Sequence, residues 1–326
     1  SRNLGDWGGV ILLGKGNSNS VGGVANIEGI APTSDTEFGG GTSPDDNDNS
    51  GSLTYVRIEF GGYVYAPNKE INGLTLGAVG RGTTINHVQV SYANDDAFEW
   101  FGGSVNCSHL VAYRNLDDDF DTDFGFNGNV QFCLAVRDPE ISDNPTVSTS
   151  EGFESDNDAA GDALTPLTAA IFSNVTIVGP LRANVSSTIA EGYRRAVRIR
   201  RNSNLKIFNS LFMDHSKGVM IDGTACEANA TSGALSFKHN ILAGNTAGNV
   251  CEVTSGSTFD IHTWFGANMN DSLVATTGIL ATPYDYLAPD YRPAGSSPAL
   301  SGADFEDAVF SGLVLSANTH IGNLDQ

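Results

Sequence analysis

Basic residues are scarce: 17 Lys and Arg against 38 Asp and Glu leave a formal charge of −21 on 326 residues. Nucleic-acid binding depends on Lys and Arg neutralising phosphates, so this composition excludes that class of partner. Long apolar runs are missing too. No stretch of 18 residues is apolar throughout, which excludes a membrane-spanning helix, and the first residues do not form a signal peptide. Cysteine is limited to Cys107, Cys133, Cys226 and Cys251, none in the C-x-x-C spacing of a zinc site. No long helical periodicity is present. What the chain does have is 38 glycines, 40% apolar residues and only 17% charged ones, the profile of a turn-rich, strand-rich protein. The acidic surplus favours cation binding or an extracellular, saline setting.

Short runs alternating apolar and polar recur, each closed by Gly, Asn or Asp: LTYVRIEFGG from 53, INHVQVSYAN from 85, CSHLVAYRN from 107, VQFCLAVRD from 130, IFSNVTIVGP from 171, LKIFNSLFMD from 205 and LSFKHNILAG from 235. One strand type repeated this often predicts a β-solenoid. Aligning Val88, Leu110, Cys133, Val175, Leu211 and Ile241 gives short steps that are bare coils. The long steps carry insertions, notably 138–151 and 179–192, at one corner. Insertions in a solenoid gather on one face, so that face is expected to do the work. Solenoids grow by adding coils, so 326 residues fit one elongated domain. WGGVILLG at 7–14 already reads as a coil strand, which implies a chain starting in mid-coil without its N-terminal cap, with a signal peptide and capping coil upstream.

An aspartate-rich motif repeats after 22 residues: NDDAFEWFGG at 94–103 and LDDDFDTDFG at 116–125. In solenoid register GFESDND at 152–158 and AVRIRRN at 196–202 continue it. The predicted outward column is Glu99, Asp121, Glu154, Arg198, beside a second column of Phe101, Asp123, Asp156 and Arg200. Adjacent strands are about 4.8 Å apart. Two unit charges at that distance repel by about 3.5 kcal/mol at an effective dielectric near 20. Three stacked carboxylates therefore need an offset: bound Ca²⁺, a shared proton on one carboxyl, or the terminal arginines. With more aspartates crowding the corner, Ca²⁺ is the most economical, and the expected ligands are Asp95, Glu99, Asp117, Asp119, Asp121, Asp123 and Asp156. The alternative is a solvated acidic face.

Phe98, Phe120 and Phe153 are expected to form an inward aromatic stack, while Trp100 fits either core or cleft. His87 and His109, also 22 residues apart, should stack on the outside of a sheet, as a solvated ladder or a transition-metal pair. Asn174, Asn209 and Asn240 are read as an inter-coil polar ladder. Cys226 and Cys251, about one coil apart, are expected to form a disulfide. Cys133 is expected as a buried free thiol, with Cys107 offset from it by about three positions.

These coils resemble the pectin-lyase-like family of right-handed parallel β-helices, and DYRPAGSSPALSGADF at 290–305 looks like the closing segment such proteins carry, here spanning 280–326. WGGVILLGKG, NIEGI, GRGTTINHVQVSY and DDDFDTDFGF also resemble a group of secreted bacterial β-helix proteins without an assigned activity. The resemblance implies a secreted or cell-surface protein that acts on or binds polysaccharide. In the galacturonan hydrolases an Asn-x-Asp, an Asp-Asp, a Gly-His-Gly and an Arg-Ile-Lys follow one another. Asn94-Asp95-Asp96, Asp117-Asp118 and Arg198-Ile199-Arg200 resemble three of these, but the Gly-His-Gly is missing and Arg200 replaces the lysine. Asp96 and Asp118 are then the acid/base candidates, with Glu154 completing the carboxylate set. A lyase would instead need a base and a cation facing a uronate carboxylate; Arg198, Arg200, Arg194, Arg195, Arg201 and Lys217 are the basic candidates. The non-catalytic alternative is a calcium-stapled rod of a cell surface or extracellular fibre, an adhesin, associating through its N-terminal solenoid edge.

Overall fold

Phe98 pairs with Phe120, and Phe120 with Phe153, on neighbouring parallel strands, so the 22-residue echo is one turn of a coil. The computed structural model describes residues 2–66, 69–182, 188–246, 248–285, 287–311 and 315–323. Part of the 179–192 insertion and parts of the 280–326 closing segment lie outside the described residues. Among the described residues the coils build two long parallel sheets. The first has eight strands and runs from Val10–Leu13 through Leu74–Gly77, Phe98–Phe101, Phe120–Asp123, Phe153–Ser155, Arg195–Ile199 and Lys217–Ile221 to Cys251–Val253. The second starts at Ser52–Glu59 and ends at Asp271–Leu273. The chain folds as a parallel β-helix.

Strands of the second sheet bend at one residue per coil. Tyr55, His87, His109, Phe132, Asn174, Asn209, His239 and Met269 share this position, all with φ between 52° and 60°. A left-handed conformation costs a non-glycine residue roughly 1–2 kcal/mol, so eight in register are held there by the stacking of the coils around them. The expected histidine stack forms here. His87 and His109 lie 4.3 Å apart and nearly parallel, and Tyr55 and Phe132 extend the stack at 4.4 and 5.2 Å. No grouping of three metal-ligand side chains among the described residues includes either histidine.

The bend also explains two departures from the expected register. Thr176, not Val175, pairs with Leu211, and His239 rather than Asn240 follows Asn209 on the ladder. Beyond the bend, Ser210 and Asn240 occupy the inward position, while Leu211 and Ile241 point outward yet are buried at 0% and 3% exposure. They pack in a second apolar cluster with Leu134, Val178, Tyr291, Ala299 and Ile321, beneath the C-terminal segment. An outward apolar residue read as inward shifts the alignment by one. The segment is pinned by polar contacts as well: Asn174 Nδ2 donates to the His320 carbonyl at 2.7 Å, and Asn209 Nδ2 to that of Asp304 at 3.0 Å. Asn174→Ala, which removes the first of these donors at a left-handed position, is expected to destabilise by about 2 kcal/mol and to speed proteolysis after residue 300. Unchanged cleavage would show that the segment is held without the Asn174 contacts.

Inside the coils Phe98, Phe120 and Phe153 stack at 5.9 and 5.0 Å, fully buried as expected. Trp100 joins this core at 0% exposure, against Phe126 at 5.4 Å. Helices α1 (Thr224–Ser232) and α2 (Ile261–Ala267) add Cys226, Ala230, Ile261 and Phe265 to the same core. The Cys226–Cys251 disulfide is not formed: all four cysteines are free and buried. Cys226 enters the core from α1, while Cys251 lies on a strand beside Val219, so the two side chains belong to different elements. Burial pushes both thiols up to about 12. Cys133 is the buried thiol expected, and Cys107 aligns with Val130, three positions away. At the N-terminal edge Val10, Leu12, Leu53 and Val56 are only partly buried. A hairpin of Ala25–Asn26 and Glu37–Phe38 covers part of the outer face of the first sheet, where the Phe38 ring fits because residue 77 is glycine; a Cβ there would meet its Cγ at 2.7 Å.

Candidate metal centre

The corner leading into the first sheet carries two acidic columns three residues apart. In the inner column Asp96 Oδ1 accepts the Asp118 N–H at 2.8 Å, Asp118 Oδ1 the Glu151 N–H at 2.5 Å, and Glu151 Oε2 the Arg195 N–H at 2.5 Å. Each carboxylate thus satisfies a turn amide of the next coil, which is why aspartate and glutamate recur at this corner. The outer column is Glu99, Asp121, Glu154, Arg198 in the register the sequence predicts. Both the 138–151 and 179–192 insertions leave from this corner, and residues of the first reach over it.

Together these elements enclose a cleft of about 370 Å³. Its floor holds Asp95, Asp96, Glu99, Asp117, Asp118, Asp121 and Glu154, with Arg200 at one end; Glu28, Glu70 and Asp143 add carboxylates to the walls. Burial, and then mutual repulsion, pushes Asp95, Asp96, Glu99, Asp118 and Asp121 well above the usual carboxylate range. Burial lifts Glu154 to about 8 although Arg200 and Arg198 oppose it, and Asp117 to about 6. The folded protein holds these charges at a cost that a cation or protons must offset.

The donor set fits a hard divalent cation. Three groups of carboxylate oxygens lie within 4.8 Å of one another: Asp95, Asp96 and Asp117; Asp96, Glu99 and Asp121; Asp118, Asp121 and Glu154. Asp117 is 9% exposed, and its Oδ1, like that of Asp121, is buried without a hydrogen-bond partner. A buried carboxylate oxygen with no donor is costly unless something binds it. Three carboxylates supply fewer than the six to eight oxygens Ca²⁺ takes, unless several bind bidentately. Any remaining positions are left for water or for ligand oxygens.

A family model described as a pectate-lyase-like β-helix domain matches residues 1–279. The chain belongs to that family. No curated protein and no solved structure matches it. Membership fixes the β-helix and leaves the chemistry to be read from the residues in the cleft.

Several expected residues sit elsewhere. Asp119 points into the protein, where it is fully buried in an ion pair with Arg137 at 2.8 Å, because the alternation that faces Asp118 to the cleft turns its neighbour away. Asp156 is taken by Arg200 and Arg201, each at 2.7 Å, and Asp123 Oδ1 accepts its neighbour's N–H at 2.5 Å; neither lines the cleft. Arg198 also lies outside, paired with Asp222 at 2.7 Å and with Glu154 at 3.5 Å. Lys217 and Arg195 are held by Glu252 at 2.6 and 2.7 Å, and Arg194 by backbone carbonyls. Of the hydrolase-like elements, Asp96, Asp118 and Arg200 do converge. Sequence reasoning missed Glu28, Glu70, Asn72, Asp143 and Glu151. Glu151 was within reach: Asp96-x-x-Glu99, Asp118-x-x-Asp121 and Glu151-x-x-Glu154 share one spacing, with Arg195-x-x-Arg198 closing the series.

Proposed function

We propose that the cleft binds Ca²⁺ and, through it, an acidic extracellular polysaccharide. The observation carrying this reading is the pair of buried, partnerless oxygens of Asp117 and Asp121 among carboxylates close enough to chelate. Coordination positions not filled by protein suit the carboxylate and hydroxyl oxygens of a uronate, and family membership points to the same class of ligand. Ca²⁺ would supply charge neutralisation of the substrate carboxylate; Arg200 at the end of the cleft adds a fixed positive charge. Burial opposes that charge, but Glu154, Asp156 and Asp121 together outweigh burial and keep the guanidinium protonated, so it orients an anion better than it removes a proton.

Carboxyl spacing bears on the type of chemistry. Asp118, Asp121 and Glu154 each offer an oxygen within 4.8 Å of the others, a span that one Ca²⁺ can bridge. They suit a shared cation. The non-catalytic reading, a calcium-stapled surface rod, is favoured by the basic residues along the first sheet, which are engaged in ion pairs.

The test is retention on polygalacturonate or alginate with Ca²⁺ or with EDTA, alongside ultraviolet absorbance for unsaturated product ends. Retention with Ca²⁺ that is lost in EDTA and in Asp121→Asn supports recognition, and growth of absorbance adds lyase turnover. Equal retention with and without the metal sinks the proposal. Ca²⁺ at 100 times its Kd is expected to stabilise the fold by about 2.7 kcal/mol, seen as a rise in melting temperature that EDTA reverses.

A further inference from the structure

The lining of the cleft carries ten carboxyl side chains and one guanidinium, that of Arg200. One divalent cation offsets two charges and leaves most of this surplus standing. The three groups of chelating oxygens are stepped along the coils and overlap unequally. The first, Asp95, Asp96 and Asp117, and the last, Asp118, Asp121 and Glu154, have no residue in common. The middle group borrows Asp96 from one and Asp121 from the other, and its remaining member, Glu99, is hydrogen-bonded by the Asn72 amide. A cation in the middle therefore competes with both ends, whereas the two ends are compatible with each other.

We infer that the cleft takes two divalent cations at once, one on Asp95, Asp96 and Asp117 and one on Asp118, Asp121 and Glu154, the first being the tighter. This rests on the calcium reading above. Each set has its own partnerless oxygen, Asp117 Oδ1 in the first and Asp121 Oδ1 in the second. Both sets also keep their inner-column aspartate oriented by a backbone amide, which occupies Oδ1 of Asp96 and of Asp118 and leaves Oδ2 for a cation. The sets differ in competition. Glu154 is already engaged by Arg198 and Arg200, so a cation on the second set must share or displace a guanidinium. Among the described residues no ion pair reaches Asp95, Asp96 or Asp117; the one basic group felt there, Arg137 beside Asp117, is already bound to Asp119 at 2.8 Å. Two cations side by side also give a chain of uronates two points of attachment, one per set.

Isothermal titration and native mass spectrometry with CaCl₂ alone, on the whole chain freed of metal, decide the matter. The expected result is two ions per chain in two distinguishable steps. Asp117→Asn is expected to remove the tighter step and keep the weaker, and Glu154→Gln to alter only the weaker. Circular dichroism checks that both variants keep the fold. A stoichiometry of one ion, lost alike in both variants, overturns the two-cation arrangement while leaving calcium binding in place. Binding of no ion at all overturns both.

Discussion

Raising the pH from about 5 to about 8 without divalent cations is expected to destabilise the protein by several kcal/mol, and saturating Ca²⁺ is expected to cancel most of that loss. Burial pushes Glu154 up to about 8, Glu151 to about 7 and Asp117 to about 6, against ordinary carboxyl values near 4. A carboxyl raised in the folded state holds a proton that the unfolded chain has released. Between the two values the native state binds more protons, so stability falls as pH rises, opposite to the behaviour of a salt-bridged surface aspartate. The contribution is fully present below the unfolded values near 4 and is lost once pH passes the folded ones. Melting temperature measured in EDTA across this range should drop, by roughly 5–10 °C for several kcal/mol in a chain of this size. A flat or rising metal-free profile would show that the cleft charges are offset within the protein.

Arg137→Met is expected to cost about 3–5 kcal/mol at neutral pH, the penalty for stranding one partner of a buried ion pair. Both side chains of the Asp119–Arg137 pair have 0% exposure. Burial pushes Asp119 up to about 6 even with the guanidinium present, so without it the carboxyl would be buried and uncompensated. Arg137 also donates to the Leu116 carbonyl at 3.3 Å and lies over the Tyr193 ring at 5.0 Å. Its loss therefore loosens the turn that carries Asp117 and Asp118, and weaker Ca²⁺ binding should accompany the loss of stability. The double variant Asp119→Leu/Arg137→Met should recover most of the stability, because well-packed apolar residues often replace a buried pair at little cost. Chemical denaturation of the two single variants and the double one gives the coupling directly. Additive losses would mean that the pair contributes little through its charges.

The fold and the outer acidic column were legible because a solenoid writes its contacts into the sequence as a spacing. Phe98, Phe120 and Phe153 stack, and Glu99, Asp121 and Glu154 align, for no reason beyond a constant strand register. Register says which residues are neighbours across coils, and it fails where an extra layer changes what an outward position means. Leu211 and Ile241 look inward by their chemistry and face outward because the C-terminal segment covers them. Asp119 looks like a third ligand in an Asp-Asp-Asp run, yet the turn directs it into the interior, where Arg137, from the next coil, meets it.

The sequence by itself determined the coil period, the parallel β-solenoid and the existence of a carboxylate column answered by arginine, since these follow from strand alternation and the repeat alone. Only the tertiary structure decided which carboxylates share a cleft. Glu28, Glu70 and Asp143 arrive from loops whose length and path no repeat encodes, while Arg198 and Asp156 are held outside it by other side chains and Asp123 is bound by its neighbour's backbone N–H. The cysteines show the same division: spacing placed Cys226 and Cys251 about one coil apart, but in the structure both are free thiols of the core, one carried by α1 and the other by a strand.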